Sequence, residues 1–171
     1  MPNQTLELDT QLAAQVRELA CHLDRAAHLY AEAKGLYGND FRALCMMDAA
    51  ERSGLQLTAG ELAQQLSLSS GAVTYLVERL VASGHVERQS DPNDRRKVLL
   101  VRSAQGREVS QGYVGPLDSL SRVALAEFEA DELTTVSRVI ARLERACELY
   151  REELAHSLAG RTQPAGRRKA G

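Results

Sequence analysis

A run of three cations beside one carboxylate is the part of the sequence best suited to chemistry. The run consists of Asp94, Arg95, Arg96 and Lys97. It follows Asp91-Pro92-Asn93, which is typical of a turn because proline presets φ and aspartate bonds forward to the backbone. Cations at the tip of a turn suit phosphates or the narrow, electronegative minor groove of a nucleic acid. We expect the Asp94 carboxylate to pair with one arginine and to fix the direction of its guanidinium.

A second set of candidate residues lies on one face of a predicted helix upstream of this run. Four apolar residues spaced as one helix face would pack inward: Val73, Leu76, Val77 and Leu80. The opposite face begins with short side chains, so a duplex could approach closely, and the free N–H groups there would favour a phosphate. Thr74 and Tyr75 are placed to meet base edges or sugars in a major groove. The predicted contacts on this face and its flank are Ser70, Gly71, Thr74, Tyr75 and Arg79.

Each of these two features has an ordinary alternative. Small residues at a helix start occur in plain helical hairpins, and a run of like charges is often only solvated surface. The two features together favour nucleic-acid binding, because the cations follow the helix at the offset expected for a helix-turn-helix and its hairpin. A hairpin used for protein contact remains the alternative from another functional class.

Capping residues and a change of period predict the elements that position these side chains. Thr58 and Glu61 fit a capping box that opens a short helix, and Gly84 is placed to end the second helix. Extended segments on both sides of the charged run then form a hairpin, called the wing below. Helix, tight turn, helix and wing define a winged helix-turn-helix over residues 40–103. We therefore predict a mainly α chain with a small β-hairpin wing (α+β).

Helix boundaries outside this pair of helices are predicted as well. Asp40 is expected to be the N-cap of a helix that ends near Ser53-Gly54. Ser103 can cap a later helix, but we expect a kink or break in that helix near Gly115-Pro116. The segment 160–171 combines arginines and a lysine with small residues and proline, which predicts a disordered basic tail.

Apolar seams with steps of three and four residues run along both ends of the chain. They comprise Leu12, Val16, Leu19, Leu23, Ala26 and Tyr30, and then Leu133, Val136, Ile140, Leu143, Cys147, Tyr150 and Leu154. Such seams have little use in an isolated small globule, so we expect helices in 10–36 and 118–158 to form a dimerisation lobe with a second copy of the chain. An intramolecular helical hairpin is the alternative.

Composition excludes several classes of protein. The 171 residues suffice for one domain or two small lobes, and no apolar stretch approaches the ~18 residues of a membrane helix. Three cysteines without metal spacing fit a reducing cytosol, so we expect a cytoplasmic protein. A net charge of −2 means that a nucleic-acid site is a local patch. Because nucleophile elbow, phosphate-loop and metalloprotease patterns are absent, we expect no enzyme, no cofactor and no metal site.

The segment from Leu57 to Gly106 resembles the MarR family of bacterial winged helix-turn-helix transcriptional regulators. The matching residues are Leu57-Thr58 with Glu61-Leu62-Ala63, Ser70-Gly71-Ala72-Val73-Thr74, Leu80 with Gly84, and Asp91-Pro92-Asn93-Asp94-Arg95-Arg96. The resemblance implies an obligate homodimer that binds a palindromic operator in double-stranded DNA and represses transcription until a small ligand or an oxidant displaces it. It also implies that Arg96 enters the minor groove, oriented by Asp94, while Arg95 lies nearer to phosphates. Two recognition helices on a two-fold axis would read half-sites about 34 Å apart.

By the same resemblance, a sensory site would lie between the dimerisation helices and each winged lobe. Candidate ligand-binding residues along the first two helices are His22, His28, Arg42 and Met46, with ordinary packing or solvated surface as the alternative. The implied effector is an aromatic or amphipathic anion, with Arg42 as its counter-charge. A redox alternative rests on Cys21, since some family members sense peroxides through a cysteine on the first helix. Packing suffices to explain Cys45 and Cys147.

Overall fold

Helices dominate the chain, and three short strands form one sheet. The structure is a computed structural model that describes the backbone of residues 2–161 and the side chains of residues 6–158. The chain divides after Ser119 into two compact units. The elements are α1 (Pro2–Ala33), α2 (Gly38–Arg52), β1 (Leu57–Thr58), α3 (Ala59–Leu66), α4 (Ser70–Ala82), β2 (Val86–Ser90), β3 (Val98–Arg102), α5 (Ala104–Leu125) and α6 (Ala130–Arg161). No helix within this described part is both long enough and apolar enough to span a membrane.

The sheet is antiparallel, with the strand order β1-β3-β2. Along the β2–β3 hairpin, Val86 lies opposite Arg102 and Ser90 lies opposite Val98. On the other side of β3, Leu57 pairs with Leu100, so β1 ties the hairpin to the segment that leads into α3. The predicted wing is therefore present, and the predicted class, mainly α with a small β wing, is confirmed.

The core of the first unit is built around α2. Phe41, Leu44 and Met47 are at most 2% exposed and belong to one apolar cluster with side chains of α3, α4, α5 and the sheet. The cluster includes the four residues of α4 that were predicted to pack inward, Val73, Leu76, Val77 and Leu80. Burial of each such aliphatic side chain contributes about 1.5–3 kcal/mol. Packing therefore decides which face of α4 points outward, and that prediction is confirmed.

An aromatic triad joins α1, α2 and α5 within the first unit. The ring centroids of Tyr30, Phe41 and Tyr113 are 5.2–5.5 Å apart. The Tyr113 hydroxyl also donates a hydrogen bond to the carbonyl of Leu23 at 3.1 Å. A Cβ at Gly112 would overlap the Tyr30 hydroxyl, so a glycine there permits the close approach of α1 and α5.

Two predicted helix features are wrong. α2 begins at Gly38 after its N-cap Tyr37, so Asp40 lies in the first turn of α2 rather than at its cap. The Asp40 side chain is buried and has another partner, described below. α5 continues through Pro116 without the predicted break, because a proline removes one donor while the helical bonds on either side persist. Ser103 does cap this helix, accepting the N–H of Gly106 at 3.1 Å.

The second unit comprises the end of α5 and the whole of α6. The predicted segment 118–158 is therefore not one helix, since a turn at residues 126–129 separates two. Many of its large apolar side chains are exposed, among them Val123 at 76% and Tyr150 at 63%. The predicted tail begins later than expected, because Gly160 and Arg161 end α6, and residues 162–171 lie outside the described residues.

Candidate nucleic-acid interface

Capping and packing together give α4 an exposed face with short side chains. Ser69 is the N-cap and accepts the N–H of Ala72 at 3.3 Å. The turn from α3 is tight because Ser67 adopts the left-handed conformation, with φ of 54°. The outward side chains, all exposed, are those of Ser70, Thr74 and Tyr75, with Gly71 among them. The Thr74 hydroxyl donates to the Ser70 carbonyl at 2.8 Å, which leaves its oxygen free to accept from an incoming donor.

The capping box of α3 is present and lies near the base of the wing. The Glu61 N–H donates to the Thr58 hydroxyl oxygen at 3.3 Å, and the Thr58 N–H donates to the Glu61 carboxylate at 2.7 Å. The bonds from Thr58 hold the pKa of Glu61 below its ordinary value, and the positive charge of Lys97 lowers it further. Lys97 is therefore close enough to α3 to act on its first turn electrostatically.

Backbone hydrogen bonds shape the wing tip, residues 91–97. The Asp91 carboxylate accepts the N–H of Asn93 at 2.7 Å, and the Asp94 carbonyl accepts the N–H of Lys97 at 2.9 Å. The Asp94 carboxylate accepts the backbone N–H of Arg96 at 3.0 Å. The prediction that Asp94 pairs with a guanidinium is thus wrong, because its short side chain reaches the N–H two residues ahead first. Asp94 directs Arg96 through the backbone.

The cations at the wing tip are exposed. Arg95, Arg96 and Lys97 all lie at the surface. Within the described part of the chain, neither of these arginines takes part in an ion pair. Two unpaired guanidinium groups therefore extend from a turn whose backbone is held by three carboxylate or carbonyl acceptors, which is a geometry suited to phosphates and to a narrow groove.

Arg79 occupies a different setting from the other predicted contacts. Its Nε and Nη2 atoms donate to the two carboxylate oxygens of buried Asp40 at 2.6 and 2.5 Å. Its guanidinium carbon lies 4.5 Å from the ring centroid of Tyr37 and 4.9 Å from that of Tyr75. Bonding to Asp40 raises the pKa of Arg79 above its ordinary value. Sequence reasoning missed Tyr37 and this ion pair, because 39 residues separate Arg79 from Asp40.

A buried ion cluster fixes the base of the wing to α2. Arg102, at the end of β3, is 3% exposed and donates to Asp48 at 2.6 Å and to Glu51 at 2.7 and 3.2 Å. It also bonds the hydroxyl of Ser110 on α5. Burial lowers the pKa of Arg102, but its bonds with Glu51 and Asp48 outweigh burial and raise that pKa. The charged arginine therefore joins β3, α2 and α5 at one point.

The predicted ligand residues do not meet at one place. Arg42 and Met46 line a cavity of about 580 Å³, together with apolar side chains of α1, α3 and α5 such as Leu23 and Leu117. His28 lines a smaller cavity of about 140 Å³, which Arg42 and Asp24 also border. His22 lies outside both of these cavities, 3.8 Å from Glu18. Arg42 forms an ion pair with Asp24, so its charge is already partnered.

The three cysteines differ in their surroundings. Cys21 is exposed on α1, and Cys45 lines the larger cavity. Burial and the nearby Asp48 carboxylate raise the pKa of the Cys45 thiol to about 11, so it is neutral and unreactive at pH 7. Cys147 is exposed, contrary to the prediction that packing covers it, because the seam of α6 is not covered within a single chain.

This geometry defines a class. α3, a tight turn, α4 and a β-hairpin whose tip is cationic make a winged helix-turn-helix of the DNA-binding kind. A family model described as the MarR family matches residues 34–97. The chain belongs to the MarR family, and the predicted fold and family are confirmed.

Relatives of known sequence support the assignment along most of the chain. The uncharacterized HTH-type transcriptional regulator YcgE of Bacillus subtilis is 30% identical over 152 residues, which cover 89% of this chain and 94% of that protein. The multiple antibiotic resistance protein MarR of Escherichia coli is 29% identical over 123 residues, which cover 70% of this chain and 81% of that protein. These relatives are transcriptional regulators and not enzymes. The chain is accordingly a DNA-binding transcriptional regulator.

Solved structures agree with the fold. The crystal structure of wild-type MarR from E. coli superposes with a TM-score of 0.51 at 27% identity, covering 77% of this chain and 96% of that one. A MepR mutant from Staphylococcus aureus superposes with a TM-score of 0.65, covering 80% of this chain and 96% of that one. At 14% identity, the MepR match supports the fold alone.

Proposed function

We propose that this regulator is a repressor that binds a palindromic operator as a homodimer and leaves it when a small ligand binds. The observation that carries the proposal is the combination, in one compact unit, of an exposed α4 face with unpaired arginines at the wing tip. α4 would read the major groove through Ser70, Gly71, Thr74 and Tyr75. Arg96 would enter the minor groove, while Arg95 and Lys97 would meet phosphates. A MepR mutant of the same fold is described as bound to an oligodeoxyribonucleotide, which supports this placement.

Uncovered apolar side chains support a homodimer. In the first unit, α1 exposes Leu12 at 40% and Leu19 at 58%, both on the predicted seam. In the second unit, α6 exposes Val136 at 50% and Ile140 at 45%, also on the predicted seam. A chain in water keeps such apolar rows covered, and a second copy would cover them. We therefore assign 10–36 and 118–158 to the dimerisation lobe and 40–103 to the DNA-binding lobe.

The cavity lined by Arg42 and Met46 supports a small aromatic or amphipathic anion as the effector. Its lining is mostly apolar, and its volume of about 580 Å³ falls in the range of small-molecule sites. An anion there would compete with Asp24 for the guanidinium of Arg42. A MepR structure with the same fold is described as bound to ethidium, an aromatic ligand. His28 borders the neighbouring cavity, whereas the position of His22 does not support a role in either one.

A gel-shift assay on the intergenic DNA beside the gene tests the proposal. Wild-type protein should give a specific shift that weakens steeply between low and moderate salt, because phosphate contacts release counterions. Arg96→Ala should weaken binding about 10- to 100-fold, which corresponds to one lost groove contact. Arg25→Ala, which removes the same charge from the surface of α1, is the matched control and should bind as wild type. If Arg96→Ala bound as tightly as wild type, the role proposed for the wing would be wrong.

Release by a ligand or by an oxidant can be separated in the same assay. Benzoate, as a simple aromatic anion, should release the DNA from wild type and should act only at higher concentration on Arg42→Ala. The competing proposal is peroxide sensing by Cys21, which its exposed position on α1 favours. We expect Cys21→Ser to respond to peroxide as wild type does. A loss of peroxide-induced release in that variant would assign the sensor to Cys21 instead.

A further inference from the structure

One guanidinium holds two exposed tyrosines in place beside the outward face of α4. The Arg79 side chain is anchored by a two-pronged ion pair to Asp40, which is 2% exposed. Its flat guanidinium lies 4.5 Å from the ring centroid of Tyr37 and 4.9 Å from that of Tyr75. Stacking on a fixed guanidinium restricts both rings, since cation–π contacts favour a defined distance over the ring face.

These two rings are ordered and yet uncovered. Tyr37 is 68% exposed and Tyr75 is 66% exposed, whereas Tyr30 packs against the core. A tyrosine that only fills space is mostly buried, while one that is held at the surface presents a rigid ring and a hydroxyl donor. The pair defined by Tyr37 and Tyr75 is therefore a preformed contact surface that lacks its partner within the described part of the chain.

The position of the pair on the lobe indicates what that partner is. Tyr75 belongs to the outward face of α4, and Arg79 follows it by four residues on the flank of the same helix. A helix is about 10 Å wide and the major groove about 12 Å, so the flanks of a bound helix lie against the phosphates that border the groove. Tyr37, stacked on that flank, would lie at the border of the groove rather than over the bases.

We propose that Tyr37 contacts the DNA backbone, its hydroxyl donating to a phosphate at the edge of the major groove, and that Arg79 is a positioning residue for Tyr37 and Tyr75. The proposal rests on the placement of α4 in the major groove given above. Arg79 is unsuited to be the phosphate ligand itself, because its Nε and Nη2 atoms and its positive charge are already engaged by Asp40. The contact surface of the lobe thus extends from α4 to the residue that precedes α2.

Tyr37→Phe tests the contact, because it keeps the stacked ring and removes only the hydroxyl. The probe is the duplex that wild-type protein selects from a randomised library, and affinity and melting temperature are both measured. We expect about 5- to 10-fold weaker binding with an unchanged melting temperature, as for one lost hydrogen bond to a charged group. Tyr150→Phe, equally exposed on α6, is the matched control and should bind as wild type. Wild-type affinity in Tyr37→Phe would overturn the proposal.

Neutral methylphosphonate linkages in the same duplex locate the contact. One substituted position in each half-site should weaken wild type about as much as Tyr37→Phe does, and it should not weaken Tyr37→Phe further. If every position weakened both proteins equally, Tyr37 would not be the partner of any phosphate. Failure of wild type to select any duplex would instead contradict the proposed function, so the two failures are distinguishable.

Arg79 variants test the positioning role. Arg79→Lys keeps the charge but loses the fork and the flat stacking surface, so we expect it to bind as weakly as Arg79→Ala. Neither variant should change the dependence of affinity on salt, whereas the loss of a direct phosphate contact would lower the salt slope by about one. Wild-type affinity in Arg79→Lys, or a lowered slope in Arg79→Ala, would overturn this part. If both variants fail to fold, Asp40→Asn, which retains Arg79, should show the same weaker binding with an unchanged slope.

Discussion

Gly106 shows how one missing side chain lets α5 reach the sheet. A Cβ at this position would overlap the carbonyl oxygen of His85 and would touch Leu44 in the core. The His85 carbonyl also accepts the N–H of Ser103, so it cannot easily move away. The close approach of backbone to backbone is therefore possible only for glycine, although glycine weakens a helix.

Gly106→Ala should lower the free energy of unfolding by about 1–3 kcal/mol or more, because the added methyl group overpacks a rigid contact. Gly115→Ala in the same helix is the matched control, since a Cβ there meets no atom within 4 Å. It should be neutral or stabilise the protein by up to about 1 kcal/mol through helix propensity. Urea denaturation of the two variants measures both effects, and equal stabilities would contradict the structural role of Gly106.

Cys45 should make the protein less stable at alkaline pH. Its pKa is raised from 9.0 to about 11 in the folded chain, so the unfolded thiol ionises first. The folded state binds the proton more tightly, and stability from this group is complete below pH 9 and is lost as the pH rises to about 11. Thermal melting of Cys45→Ala should show a smaller decrease over this pH range than wild type. Cys21→Ala is the control and should follow wild type.

At the scale of elements, the wing tip depends on one backbone bond from Asp94. The Asp94 carboxylate accepts the N–H of Arg96, and an asparagine could accept the same bond with its side-chain oxygen. Asp94→Asn should therefore keep most of the affinity for DNA, while Asp94→Ala should bind several-fold more weakly. Gel shifts on the selected duplex compare the two. If Asp94→Asn bound as weakly as Asp94→Ala, the negative charge of Asp94 and not its backbone bond would be the relevant property.

Local patterns were sufficient to predict most of these elements. The capping box of Thr58 and Glu61 and the buried face of α4 depend on residues within one or two turns, so the sequence displays them directly. Pro116 misled the prediction for α5, since one lost hydrogen bond does not end a helix of 22 residues that packs on its neighbours.

Long-range partners could not be predicted in the same way. Arg79 meets Asp40 across 39 residues, and Arg102 meets Asp48 across 54 residues. Nothing in the neighbourhood of a single arginine tells whether its partner is a phosphate or a distant carboxylate. For the same reason, the sequence alone did not show Tyr37 beside α4.

At the scale of the whole molecule, the uncovered seams should decide the oligomeric state. Ile140→Asp places a charge on the exposed seam of α6, and we expect it to give a monomer by sedimentation and to weaken operator binding strongly. Arg142→Asp introduces the same residue about 200° around the helix and should leave the dimer intact. A wild-type protein that is monomeric at micromolar concentration would contradict the proposed dimer.

The dependence of α4 and the wing on α2 has a consequence for the choice of DNA. Asp40 anchors α4, while Asp48 and Glu51 anchor the end of β3, so both grips are set by carboxylates on one helix. Asp40 and Asp48 are eight residues apart, about 12 Å along its axis. The span between the two grips is thereby constant, and a duplex has to match it through its own twist and groove width. Stiffness and shape of the DNA would then contribute to selection even at base pairs that no side chain touches.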